Sequence, residues 1–184
     1  MNTLENNSRK ILADEGVDSL KDTPLYSADE SISDGSHDFK LNKDYFEKHY
    51  NLTPLSETTE WAKLMKSIKS EISDDSDELY NYYSNDGACI TALSQEGGFY
   101  GLEVLVDINC DKRPNNAGYD QFLLTFSNNG LITLDNGGFD ATSCTSEAVN
   151  AVPEENDADV AVKLVYAGDT CFRRIVQDGW KINY

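Results

Sequence analysis

The side chains best suited to chemistry lie in one short stretch, LVDINCDKRPNNAGYDQF, from Leu105 to Phe122. Asp107, Asn109 and Asp111 alternate by two, a spacing that in a looping backbone turns three side-chain oxygens toward one point. Calcium takes roughly six to eight oxygens, and Asn115 and Asp120 add two candidates beside main-chain carbonyls and water. The beginning therefore reads as the D-x-N-x-D of an EF-hand loop. The remainder departs from it: Lys112 stands where the sharp turn needs glycine, Gly118 stands where a bidentate acid closes the site, and Lys112 and Arg113 bring positive charge alongside. The competing reading is a turn in which Asp and Asn side chains satisfy their own backbone amides while Pro114 and Gly118 set the bends.

No other group of residues forms a catalytic constellation. His37 and His49 have no nucleophile near them in sequence. There is no Gly-x-Ser-x-Gly and no glycine-rich phosphate loop, and 33 acidic residues are too many for any pair to stand out. The chain reads as a non-enzyme. Its cysteines, Cys89, Cys110, Cys144 and Cys171, show no Cys-x-x-Cys spacing for zinc or redox work, so an even set reads as two disulfides. Three pairings are open, and any of them implies an oxidising compartment.

The formal net charge of −18, from 33 acidic against 15 basic residues, excludes nucleic acid and anionic membrane surfaces as partners of the bulk surface. No apolar run is long enough to span a bilayer, and residues 1–25 lack the apolar core of a signal peptide.

The elements that position the loop change type along the chain. Leu4, Ile11, Leu12 and Ala13 form a helical stripe that Gly16 stops, and residues 21–40 read as loop. Asn42 is placed to cap a short helix carrying Tyr45, Phe46 and His49. Ser56 is placed to cap a second, with Trp61, Leu64, Met65, Ile68 and Ile72 on its buried face. From residue 88 the pattern becomes strand-like: ACITALS, FYGLEVLVD, QFLLTFS, LITLD, DVAVKLVYA and CFRRIVQDGWKINY, with hairpin signals at SNNG (127–130) and QDGW (177–180). A helical first part followed by an antiparallel meander is an α+β layout in one domain, residues 1–184.

VDINCDKRPNNAGYDQF (106–122) resembles the D-[VI]-N-G-x-x-x-P-N-x-x-G-x-D-x-F signature of bacterial type IV pilin-like proteins, the pilins and pseudopilins. The end, GDTCFRRIVQDGWKINY, looks like the G-x-x-C-x-x-x-I-[IV]-x-D-x-W-K-I-x-Y terminus of that group, and RKILADEGVDSLKD looks like the distal part of its long first helix. The resemblance implies a helix end over residues 1–20 packed on an antiparallel sheet of about four or more strands. A loop and helical insertion would fill residues 21–87, and the sheet with a disulfide-tied C-terminal region residues 88–184.

It further implies a structural subunit of a type IV pilus or type II secretion-like filament, located in the periplasm or at the cell surface. Its partners would be other subunits, held through an apolar N-terminal helix that is absent here, with Met1 supplied as a start. Without that helix the head would be a monomer and would not touch a membrane. Cys110, where the signature has glycine, acquires a partner on this reading: Cys89 on the preceding strand, leaving Cys144 to pair with Cys171. Calcium held by Asp107, Asn109, Asp111, Asn115 and Asp120 also becomes an expectation, because major pseudopilins hold calcium near their C-terminal end. The alternative function is a secreted calcium-stabilised adhesin module using exposed aromatics of YNYYSN (80–85).

Overall fold

Gly16 ends the first helix with φ +69, the left-handed conformation that glycine adopts without strain. The computed structural model describes residues 2–28, 39–69, 79–93, 102–112, 115–133, 144–145 and 157–178. The order is α1 (Asn2–Glu15), a 3-10 turn (Leu20–Asp22), β1 (Tyr26–Ala28), β2 (Phe39–Leu41), α2 (Lys43–Tyr50), β3 (Thr53–Pro54) and α3 (Glu60–Ser67). There follow β4 (Tyr80–Tyr83), β5 (Cys89–Leu93), β6 (Leu102–Asp107), β7 (Gln121–Phe126), β8 (Ile132–Thr133) and α4 (Asp157–Gln177). Strands β3 to β8 form an antiparallel meander in chain order, and β1 and β2 form a separate ribbon. The fold is α+β, as the change of periodicity predicts.

The sheet is buried on both sides, and strand alternation sorts its residues. Ile90, Leu102, Val104, Val106, Phe122, Leu124 and Phe126 join a core with Leu4, Ile11 and Leu12 of α1 and Phe46 and Tyr50 of α2. Leu105 and Leu123 point the other way, into a second core with Trp61, Ala62 and Met65 of α3. Continuous apolar runs such as QFLLTF follow from this, since neither face of β7 meets water. On α1, the inward row is Leu4, Ser8, Ile11 and Leu12, whereas Ala13 is exposed. Ser8 is accommodated because its hydroxyl reaches the Leu4 carbonyl and the Tyr50 hydroxyl, at 3.2 and 2.6 Å.

Several expectations are corrected. Residues 21–40 are not loop throughout, since β1 and β2 pair Tyr26 with Leu41. The 21–87 region is not a purely helical insertion, because β3 and β4 extend the sheet. Asn42 caps α2 as expected, accepting from the Tyr45 amide at 3.2 Å. The cap of α3 is Thr59 rather than Ser56: Thr59 Oγ1 accepts from Ala62 N at 3.2 Å, while Ser56 accepts from Thr58 N in the preceding turn. Ile72 lies outside the described residues. SNNG does form a hairpin, with Ser127 N bonded to the Leu131 carbonyl and Gly130 at φ +76.

The largest correction is at the C-terminal end. DVAVKLVYA and the first part of CFRRIVQDGWKINY are not strands but helix α4, and Asp178 N bonds the Arg174 carbonyl where QDGW was expected to turn a hairpin. β-Branched residues suggested strands, but Ala167, Cys171, Phe172 and Ile175 are buried at spacings of four, one and three, a helical row. Among the described residues β8 pairs with Thr125 and Phe126, and α4 packs against β7. A Cβ on Gly168 would stand 3.0 Å from Leu123 N, so the helix axis comes close to the strand backbone.

Candidate functional site

The loop joining β6 to β7 starts and ends in register, with Asp107 opposite Gln121. It is held by the Cys89–Cys110 disulfide, whose Cα atoms are 4.8 Å apart. Cys144 bonds Cys171 of α4, again with 4.8 Å between Cα atoms. Both pairings are those the resemblance implies, though Cys171 sits on a helix and not on a tail strand. Cys110 takes a positive φ of 57, the conformation for which the glycine of the signature is suited.

Each predicted ligand already has a partner within the protein. Asp107 is 0 % exposed; its Oδ1 accepts from Asn109 N at 3.1 Å and its Oδ2 from Gln121 Nε2 at 3.0 Å. Asp120 is 3 % exposed and accepts from Asn116 N at 2.6 Å and Asn109 Nδ2 at 3.0 Å. Asn109 thus ties the two carboxylates together, and its own Oδ1 is buried with no hydrogen-bond partner among the described residues. Asp111 leaves the group: its Oδ1 accepts from Trp61 N at 3.3 Å, adding a second acceptor at the start of α3. Asn115, its amide turned so that both of its ends are satisfied, donates to the carbonyls of Cys110, at 3.1 Å, and of Lys112. Among the described residues no three His, Cys, Asp or Glu side chains gather as a metal-holding group.

Burial raises Asp107 to about 6 against the opposing hydrogen bonds from Gln121 and the Asn109 amide, with the Asp120 charge adding to the rise. Asp120 is raised for the same leading reason. Two carboxylates with weakened acidity therefore stand at the root of the loop, bridged by one asparagine, through its backbone N–H to Asp107 and its side-chain amide to Asp120. Sequence reasoning did not single out Gln121 or Asn116, although Gln121 is the polar residue that opens an otherwise largely apolar strand.

The aromatic segment does not present a free stacking surface. Tyr82 is fully buried against Phe46, with ring centroids 5.6 Å apart, and Asn81 Oδ1 accepts from Thr91, which in turn accepts from Trp61 Nε1 at 2.8 Å. Trp61 and Met65 are core residues. His49 stacks on Tyr45 at 4.0 Å and is half-buried, and His37 lies outside the described residues. No helix among the described residues is long and apolar enough to cross a membrane. Compared with known proteins, the chain matches no family model, no curated protein and no solved structure.

Proposed function

We propose that the chain is the head of a structural subunit of a pilin or pseudopilin type, which assembles into an extracytoplasmic filament. The observation that supports this reading most is the Cys89–Cys110 bond, which pins the β6–β7 connection carrying the pilin-like signature to the neighbouring strand β5. In agreement with it, α1 lies against the same core as the sheet, and two disulfides fit an extracellular life. The head's work is mechanical. The meander, stapled by Cys89–Cys110, and α4, tied by Cys144–Cys171, resist local opening, while the acidic loop satisfies its own amides and Asp111 reaches the cap of α3.

The test is the reading frame upstream of Asn2 together with the cell surface. The proposal expects a prepilin-type cleavage site followed by an apolar helix in the natural gene, and the protein in the sheared filament fraction. An ordinary signal peptide with all of the protein in the soluble secreted fraction would refute it.

A further inference from the structure

A cavity of about 260 Å³ opens between the first turns of α1, the end of α2, the β4–β5 turn and the ends of β5 and β6. Its apolar wall is Leu4, Leu52, Ala88, Ile90, Val106 and Ile108. Ile108 is 48 % exposed, the one large apolar side chain among the described residues that stands open to solvent. Polar groups in the wall are largely occupied: the Tyr50 hydroxyl bonds Ser8 Oγ at 2.6 Å, and Ser84 Oγ accepts from Ala88 N at 3.0 Å and reaches Asp86. Asp86 is exposed and lies at the rim, and the Ser84 hydroxyl holds its carboxyl below the usual range, so it is ionised at neutral pH. Sites for whole small molecules run from about 300 Å³ upward, and this cavity falls short of that. Its size suits one large side chain, with Ile108 extending the contact beyond the mouth.

We propose that this cavity docks a single aromatic or long aliphatic anchor residue of a partner protein, flanked by lysine or arginine. The apolar wall takes the anchor. The rim carboxylate of Asp86, on a chain of net charge −18, selects the basic neighbour and disfavours an acidic one. The inference stands independently of the filament reading, because it rests on the cavity and its rim alone.

The test is a titration of the ¹⁵N-labelled protein, followed by amide shifts, with three acetylated and amidated tripeptides: Gly-Trp-Lys, Gly-Trp-Glu and Gly-Ala-Lys. Gly-Trp-Lys is expected to shift the amides of Asn85, Ala88, Ile90 and Ile108 saturably at roughly millimolar concentration, the range one buried anchor supports. Gly-Trp-Glu should bind more weakly, and Gly-Ala-Lys should give no saturable shift. Asp86→Asn should weaken Gly-Trp-Lys by about twofold to fivefold, the scale of an exposed charge pair. Ile108→Ser, an exposed position whose change leaves the buried wall intact, should weaken both tryptophan peptides. Absence of saturable shifts, or shifts scattered away from the cavity, overturns the site. Equal affinity for Gly-Trp-Lys and Gly-Trp-Glu overturns the basic requirement.

Discussion

Replacing Asp107 by asparagine should make the protein more stable at neutral pH, with an advantage that disappears as the pH falls toward 4. Asp107 is 0 % exposed, and burial raises its carboxyl from the ordinary 3.8 to about 6. A carboxyl whose folded pKa lies above its unfolded value contributes stability that is fully present below the unfolded pKa. That stability is lost as pH rises through the folded one. The window is therefore pH 4 to 6, and above it the buried charge costs about 3 kcal/mol, since one unit is worth about 1.4 kcal/mol. Asparagine keeps an oxygen for the Asn109 amide, and Gln121 has only to turn its side-chain amide to accept from the new Nδ2. Urea unfolding in EGTA at several pH values measures the difference between the two proteins. The comparison cancels the general self-repulsion of the other acids, although Asp120, the charged neighbour, gains from the loss of Asp107's charge. Asp107→Asn should match the native protein near pH 4 and exceed it by about 2 to 3 kcal/mol above pH 7. A difference that does not vary with pH, or a variant less stable at pH 7.5, would refute the reasoning.

The self-capped loop predicts that thermal melts in EGTA and in millimolar calcium coincide. A shift of several degrees, lost in Asp107→Asn, would instead make the buried Asn109 oxygen and the two carboxylates cation ligands. Removing the second disulfide with Cys144→Ala and Cys171→Ala should cost about 3.5 kcal/mol, because the bond closes a loop with a sequence separation of 27; unchanged urea unfolding would argue against the staple. Gly168→Ala places a methyl 3.0 Å from Leu123 N and 3.3 Å from Phe122 Cα, so α4 must move off β7; the melting temperature should fall by several degrees, and a variant as stable as the parent would show that the helix does not sit so close.

Several features were legible in the sequence because they depend on neighbours in the chain. Gly16 stops α1, Asn42 caps α2, Gly130 turns the hairpin, and the apolar runs from Ile90 to Phe126 make strands, since each rests on a local φ, a local hydrogen bond or a period of two. The spacing of acids from Asp107 to Asp120 marked the loop but could not say where each oxygen goes. Asp111 turned to the Trp61 amide of α3, fifty residues away, and Asp107 to Gln121, because only the folded chain brings those donors within reach. The same holds for the segment from Asp157 to Gln177. Its β-branched residues permit a strand, and it is a helix whose small and apolar row, Ala167, Gly168, Cys171, Phe172 and Ile175, is buried where the helix packs against β7. Burial against a particular partner outweighs an intrinsic preference that spans only about 1 kcal/mol, and the partner is set by tertiary structure.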